Sequence, residues 1–230
     1  MPVFRNIPHV ERHIYKRTTM NEIVLFFTYD VISIKEKRDQ ILSILKQNKL
    51  IALSSPENTA QDTIVYLDGD IVISFVSSGV LVNIPASKYR DFHETKGMWI
   101  RLGKLLQELN LNTLVWTFTK GNRLVFTNQL DEKDKQEMLK MVFSDNLIKA
   151  VGNDRIYVEE SIDKKRIVTC RYGFEAYKDK TALSLKTMIT TLSYKPENLL
   201  QEVFETNDLM FDVWYWTAGE DLKTVMDKEL

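Results

Sequence analysis

The sequence predicts an α+β fold: a mostly antiparallel sheet with long amphipathic helices packed on one face. Three observations carry that prediction. Residues 63–67 (TIVYL), 70–76 (DIVISFV) and 80–84 (VLVNI) are strand-like runs separated by turn signals. A helical spacing of Tyr89, Phe92, Trp99, Leu102, Leu105, Leu106 and Leu109 follows directly. The order then returns, with strand-like runs at 155–159, 166–177 and 181–194 ahead of an apolar helical region at 199–216. Runs of strands joined by hairpins and followed by single helices specify α+β rather than the βαβ alternation of a parallel sheet. The repetition suggests two related strand–helix halves, 1–150 and 151–230, packed as one unit. Gly152, Asn153 and Asp154 mark the seam.

The elements follow in chain order. Residues 1–20 carry Pro2 and Pro8, which discourage regular structure, so a leader strapped across the fold is expected. Residues 22–29 (EIVLFFTY) read as a central strand, apolar on both faces. Ser33 and Glu36 form a capping box for a helix that presents Ile34, Ile41, Leu42 and Leu45 on one side and ends near Asn48. A short strand at 50–53 and a polar loop at 54–62 come next. Asp68-Gly69 is read as a type I′ hairpin turn. After the long helix, 113–119 (TLVWTFT) and 123–127 (RLVFT) are read as a second hairpin around Lys120-Gly121-Asn122. Asp131 caps a helix reaching about Phe143. A hairpin around Asp163-Lys164-Lys165 joins the first late strands. Pro196 opens the apolar helix, and Gly219 separates it from a last helix at 220–228.

Composition narrows the function classes. With 31 basic against 32 acidic residues, the chain as a whole has no strong attraction for nucleic acid or anionic membrane. The single cysteine, Cys170, excludes an intramolecular disulfide and a thiolate zinc site, and favours a reducing, cytoplasmic setting. The first residues show no apolar run of signal-peptide length, and no stretch is long enough to span a membrane.

No catalytic set, cofactor motif or metal-ligand cluster is found, so no catalytic residue, cofactor or metal is assigned. His9 and His13, four apart around Glu11, read as surface histidines because Pro8 disfavours the helix that would align them. Asp68 and Asp70 place two carboxylates at a turn, which raises a metal-dependent hydrolase as one alternative, although the turn itself accounts for them. Cys170 sits on a strand without a base and reads as inert core. A second alternative is a nucleic-acid-binding component. It would use Arg12, Lys16 and Arg17 of the leader and a basic hairpin of Lys164, Lys165, Arg166 and Arg171, with Tyr172 and Phe174 nearby. The cluster Trp214, Tyr215 and Trp216 is the foremost candidate for contact with a protein partner.

Three segments together carry a resemblance. Residues 15–27 (YKRTTMNEIVLFF) set a basic lead before a strand. Residues 80–84 with Tyr89 and Phe92 open the long helix. Residues 183–192 form a late strand ahead of Leu199, Phe204 and the closing helix. This order resembles a sporadically distributed family of uncharacterised prokaryotic proteins of about this length. The match departs at 113–119, where such proteins carry an arginine-rich strand and this chain has no arginine. The resemblance implies no catalytic residues. With sporadic distribution, it implies toxin immunity or an accessory role in phage defence. The leading expectation is thus a non-enzymatic cytoplasmic bacterial protein that works by binding another protein, through a sheet edge or the Trp214–Trp216 surface.

Overall fold

A computed structural model describes residues 3–11, 20–29, 34–53, 63–88, 91–111, 113–126, 129–151, 156–192 and 196–227. The fold is α+β: one nine-stranded antiparallel sheet with six helices, some packed on the sheet. The strands are β1 (Met20–Tyr29), β2 (Ile51–Ala52), β3 (Thr63–Asp68), β4 (Ile71–Val76), β5 (Gly79–Asn83), β6 (Thr113–Val125), β7 (Ile156–Ser161), β8 (Arg166–Tyr177) and β9 (Lys180–Leu192). The helices are α1 (Ile34–Gln47), α2 (Lys96–Glu108), α3 (Glu132–Val142), α4 (Asp145–Val151), α5 (Leu199–Thr217) and α6 (Glu220–Asp227).

The strand order is β2-β3-β4-β5-β1-β6-β9-β8-β7. It contains a repeat of topology. β1, α1, the β2–β5 meander and α2 come first; then β6, the α3–α4 pair, the β7–β9 meander and α5. In both series the opening strand returns beside the last strand of its meander, as β5-β1 and as β9-β6. The repeated order divides between Glu108 and Thr113. Of the seam expected at 150–154, residues 152–154 lie outside the described ones. By contacts the chain forms two compact units, one of 22–118 with 190–205 and one of 1–21, 119–189 and 206–230.

In the 22–118 unit the buried side of the sheet follows from strict alternation. The registers Ile64↔Phe75, Tyr66↔Ile73, Ile73↔Val82, Phe75↔Val80, Leu25↔Val82 and Phe27↔Val80 put all these residues on one face. All are buried. Phe27 stacks on Trp116 of β6 and meets Trp99 of α2 edge-on, while Phe92 packs on Trp99, Phe118 and Phe204. Helix α2 starts at Lys96, after 3-10 turns at Ala86–Lys88 and Phe92–Thr95, and Tyr89 lies outside the described residues; Asp91 caps the second turn through the His93 N–H. Both α1 and α2 end on a left-handed residue, Lys49 (φ 57) and Asn110 (φ 52). Leu50 N–H then reaches the Leu45 carbonyl, and Leu111 N–H the Leu106 carbonyl, closing the last turns. Ser33, the expected cap of α1, lies outside the described residues.

In the other unit, β7 and β8 pair from Ile156↔Tyr172 to Ser161↔Ile167, around the turn at Asp163 that the sequence predicts. Asp131 caps α3 by accepting the Asp134 N–H. Phe143 stacks on Tyr172 and docks α3 on β8. Gly219 sits where the α5–α6 turn crosses the end of α3, its N–H bonded to the Val142 carbonyl. A Cβ there would lie 2.7 Å from the Met141 carbonyl, so only glycine permits the approach.

Three local expectations are corrected. The hairpin expected around Lys120-Gly121-Asn122 is absent, because β6 runs unbroken from Thr113 to Val125. Lys120 Nζ donates to Asn207 Oδ1 on α5 at 2.6 Å, and Asn122 is buried, so tertiary partners override the turn chemistry. In the β3–β4 hairpin Asp68 pairs with Ile71, leaving Gly69-Asp70 as the loop. Positive φ occurs at Gly69 (62°) and not at Asp70, the pattern of a type II′ rather than a type I′ turn. Finally, β1 is central as expected but fully buried on one face only: Ile23, Leu25, Phe27 and Tyr29 are buried, whereas Val24, Phe26 and Thr28 are half-exposed.

Candidate functional site

The aromatic cluster at the end of α5 is largely engaged inside its own unit. Trp214, Tyr215 and Trp216 are each half-buried. Trp214 packs with Phe211, and Lys223 Nζ lies 3.8 Å from the centre of the Tyr215 ring. Trp216 meets the fully buried Phe4 edge-on, at 5.8 Å between ring centres. Phe4 belongs to the leader, which is strapped by two carboxylates. Glu160 on β7 accepts the backbone N–H groups of Val3, Phe4 and Arg5, at 2.5, 2.7 and 3.0 Å. Asp212 on α5 accepts the Val10 N–H and pairs with His9 Nδ1, both at 3.0 Å. That hydrogen bond holds the His9 imidazolium above its ordinary range. The strapped leader was legible in the sequence; its anchors, more than 150 residues away, were not.

The basic residues divide. Arg12, Lys16 and Arg17 lie outside the described residues, as do His13 and Asp62. Lys164 and Lys165 are exposed at the β7–β8 turn, but Arg166 is held by Asp163, which also accepts the Lys165 and Arg166 N–H groups. Partial burial of Asp163 opposes ionisation, and those donors outweigh it, so its carboxyl sits below the usual range. Arg171 stacks over Tyr157 at 5.3 Å, and Arg123 stacks over Tyr177 at 4.7 Å while bonding Glu175. Glu159, Glu160, Asp163 and Glu175 therefore stand among Lys164, Lys165, Arg166 and Arg171, and the hairpin has no net positive field.

The two turn carboxylates differ in setting, and Asp70 is exposed. Asp68 is nearly buried, and both its oxygens are taken by Arg101 of α2, through Nε at 2.7 Å and Nη2 at 2.5 Å. This bidentate pair fastens the β3–β4 hairpin to the helix, and its hydrogen bond raises the Arg101 guanidinium further. Among the described residues no three His, Cys, Asp or Glu side chains are grouped as metal ligands. Replacing Arg101 by methionine, which keeps the stem but leaves the buried carboxylate unpaired, is expected to cost about 1–2 kcal/mol in urea unfolding. Arg101→Lys should recover only part, because one ammonium does not reproduce the two-pronged contact.

Cys170 is fully buried beside Thr187, which also bonds the Tyr172 hydroxyl at 3.1 Å. Burial pushes its thiol up to about 12, and pushes the Tyr172 phenol well up too. The adjoining cavity, lined by Asn122, Tyr172, Thr187 and Thr217 with Phe143 and Trp214, is about 10 Å³, room for a water molecule and no organic ligand. A thiol reagent at pH 8 should leave the folded protein unmodified and label Cys170 fully in denaturant; rapid labelling without denaturant would contradict this burial.

The feature that sequence reasoning missed is the other side of the sheet. In the 22–118 unit, the pairings Ile51↔Leu67, Val65↔Ser74, Ser74↔Leu81 and Phe26↔Leu81 define a second face. Ile51, Leu53 and Leu81 are exposed there at 68, 52 and 36%, with Val24, Phe26, Val65, Leu67 and Val72 half-exposed between them. Every helix–sheet ring contact and ion pair described above for this unit falls on the opposite face. In the other unit, the exposed Tyr157 and Val125 occupy outward positions of β7 and β6. The signal was in the sequence, since 63–67, 71–76 and 80–83 are apolar at both alternating positions although one face turns to solvent. Among the described residues no helix is long and apolar enough to cross a membrane. Compared with known protein-family profiles and with curated proteins, the chain matches none.

Proposed function

We propose that this protein acts by binding another protein through the solvent-facing side of the β2–β5 meander and β1. One observation carries the reading: the large exposed apolar side chains gather there. Three of the nine among the described residues, Ile51, Leu53 and Leu81, share this one face of one unit. Single exposed apolar residues are ordinary, but a contiguous group with half-exposed valines and a phenylalanine between marks an interaction surface. The Trp214–Trp216 surface supports the reading less, because Phe4, Phe211 and Lys223 already cover much of it. Among the described residues no arrangement of acid, base and nucleophile accompanies the face, so the work proposed is steric, in keeping with an immunity or defence-accessory role.

The test is capture from native cell extract with tagged protein. A stoichiometric partner retained by the wild type should be lost with Leu81→Asp and kept with Ile100→Asp, whose exposed side chain lies on α2. Equal recovery by both variants would refute the assignment. A second reading, nucleic-acid binding, draws on Arg171 over the exposed Tyr157, a cation beside a ring on which a base can stack. It predicts salt-sensitive retardation in a gel shift, and absence of any shift at low salt eliminates it.

A further inference from the structure

We propose that the protein seated on this face is a second copy of the same chain, paired sheet on sheet about a two-fold axis. The inference rests on the binding reading above and names its partner. Charge is the first argument. The described residues across the middle of the face are uncharged: Val24, Phe26 and Thr28 on β1, Leu81 on β5, Val72 and Ser74 on β4, with Glu22 toward the start of β1 and Asn83 at the end of β5. Interfaces between copies of one chain are more apolar than those between different proteins, and this uncharged face is of the first kind. An uncharged apolar face is complementary to itself, which is what a two-fold contact requires, since each residue then meets the same patch on the other copy.

Shape and area agree. Two sheets stack face to face about 10 Å apart with strands crossing near −30°, and their side chains interdigitate when neither face carries large projections. Gly79 lies on this face, and the Phe26 ring occupies the space where its side chain would be, so the ring lies along the sheet instead of standing from it. The five strands β1–β5, spaced about 4.8 Å apart and averaging about six residues of 3.4 Å, give a footprint of roughly 500 Å². That is near the lower bound for a specific pair and fits a dimer in exchange with monomer rather than an obligate one.

Sedimentation and light scattering over a concentration series are the direct test. The mass should rise from 26.9 kDa toward twice that value, with half-association in the micromolar range. Leu81→Asp should hold the protein at the monomer mass, and Ile100→Asp should not. Because a core-adjacent aspartate can unfold a strand, Ile51→Asp serves as the second variant, at an exposed edge position where folding is tolerated; it should weaken association by at least tenfold. Leu81→Cys in the otherwise buried-thiol background should form an intermolecular disulfide under oxidation. A mass fixed at 26.9 kDa throughout, or association indifferent to both aspartates, overturns the second-copy inference. A fixed monomer whose capture of a different protein is lost with Leu81→Asp overturns it while leaving the binding reading intact. Dimerisation sensitive to both aspartates, with no other protein captured, sustains it.

Discussion

Trp99→Ala is expected to be the most damaging side-chain truncation in the 22–118 unit, at about 3–5 kcal/mol. Trp99 has no exposed surface and stands between helix and sheet. Its ring meets Phe27 of β1 and Phe92 of the preceding turn, so removal opens a cavity that two elements line and neither can collapse into. Its Nε1 donates to Thr95 Oγ1 at 2.8 Å, and that hydroxyl donates to the Phe92 carbonyl at 2.6 Å. The indole therefore fixes the junction between the 3-10 turn and α2 as well as filling the core. For a chain of this size a loss of that order lowers the melting temperature by roughly 6–20 °C. Trp99→Phe separates the two roles: it retains ring packing, leaves no buried donor without a partner, and should cost about 1–2 kcal/mol. A melting temperature for Trp99→Ala within a degree or two of wild type would show that α2 is not held by this contact.

The parts of the fold that could be read in advance are those set by short-range chemistry. Asp131, three residues before the Asp134 N–H it accepts, needs nothing beyond its own turn, and the cap stands. The Asp163 hairpin is equally local, with both backbone donors within three residues. The α+β class, with antiparallel strand runs ahead of helices, was legible because periodicity changes where one element gives way to another. What was not legible depends on distant partners. Lys120-Gly121-Asn122 has turn composition, yet Asn207 on another element draws Lys120 into a continuous strand. Glu160 reads as one more surface acid until the leader brings it three N–H groups. Asp68 and Asp70 suggest a metal pair until Arg101, 33 residues on, takes both oxygens of the first.

The solvent-facing side of the meander illustrates the same limit from the other direction. A strand apolar at both alternating positions is ordinarily buried on both faces, and β1 has that pattern. The structure satisfies half of that expectation, and the unsatisfied half is where the proposed contact lies.

Gly79→Ala should reveal how closely that face and the core are tied. Two glycine positions make the comparison. At Gly69 the backbone is left-handed with open space around it, so Gly69→Ala should cost about 1 kcal/mol through conformation alone. At Gly79 a Cβ would lie 2.4 Å from the Phe27 carbonyl oxygen and 2.8 Å from two carbons of the Phe26 ring. The ring can turn away, but the carbonyl belongs to β1, held in register against β5 from Val24↔Asn83 to Thr28↔Gly79. Strand β5 must therefore shift against a strand whose other face carries Leu25 and Phe27 in the core, and the expected cost is about 2–4 kcal/mol. Combining Gly79→Ala with Phe26→Ala separates the two clashes. If the ring dominates, the double variant regains most of the stability lost; if the carbonyl dominates, as the shorter distance requires, the two costs add. The same pair reads the surface. Gly79→Ala lifts the Phe26 ring from the sheet and should weaken association of the folded protein at concentrations where Gly69→Ala does not. Unchanged association in a folded Gly79→Ala protein would show that the flatness of this face has no part in binding.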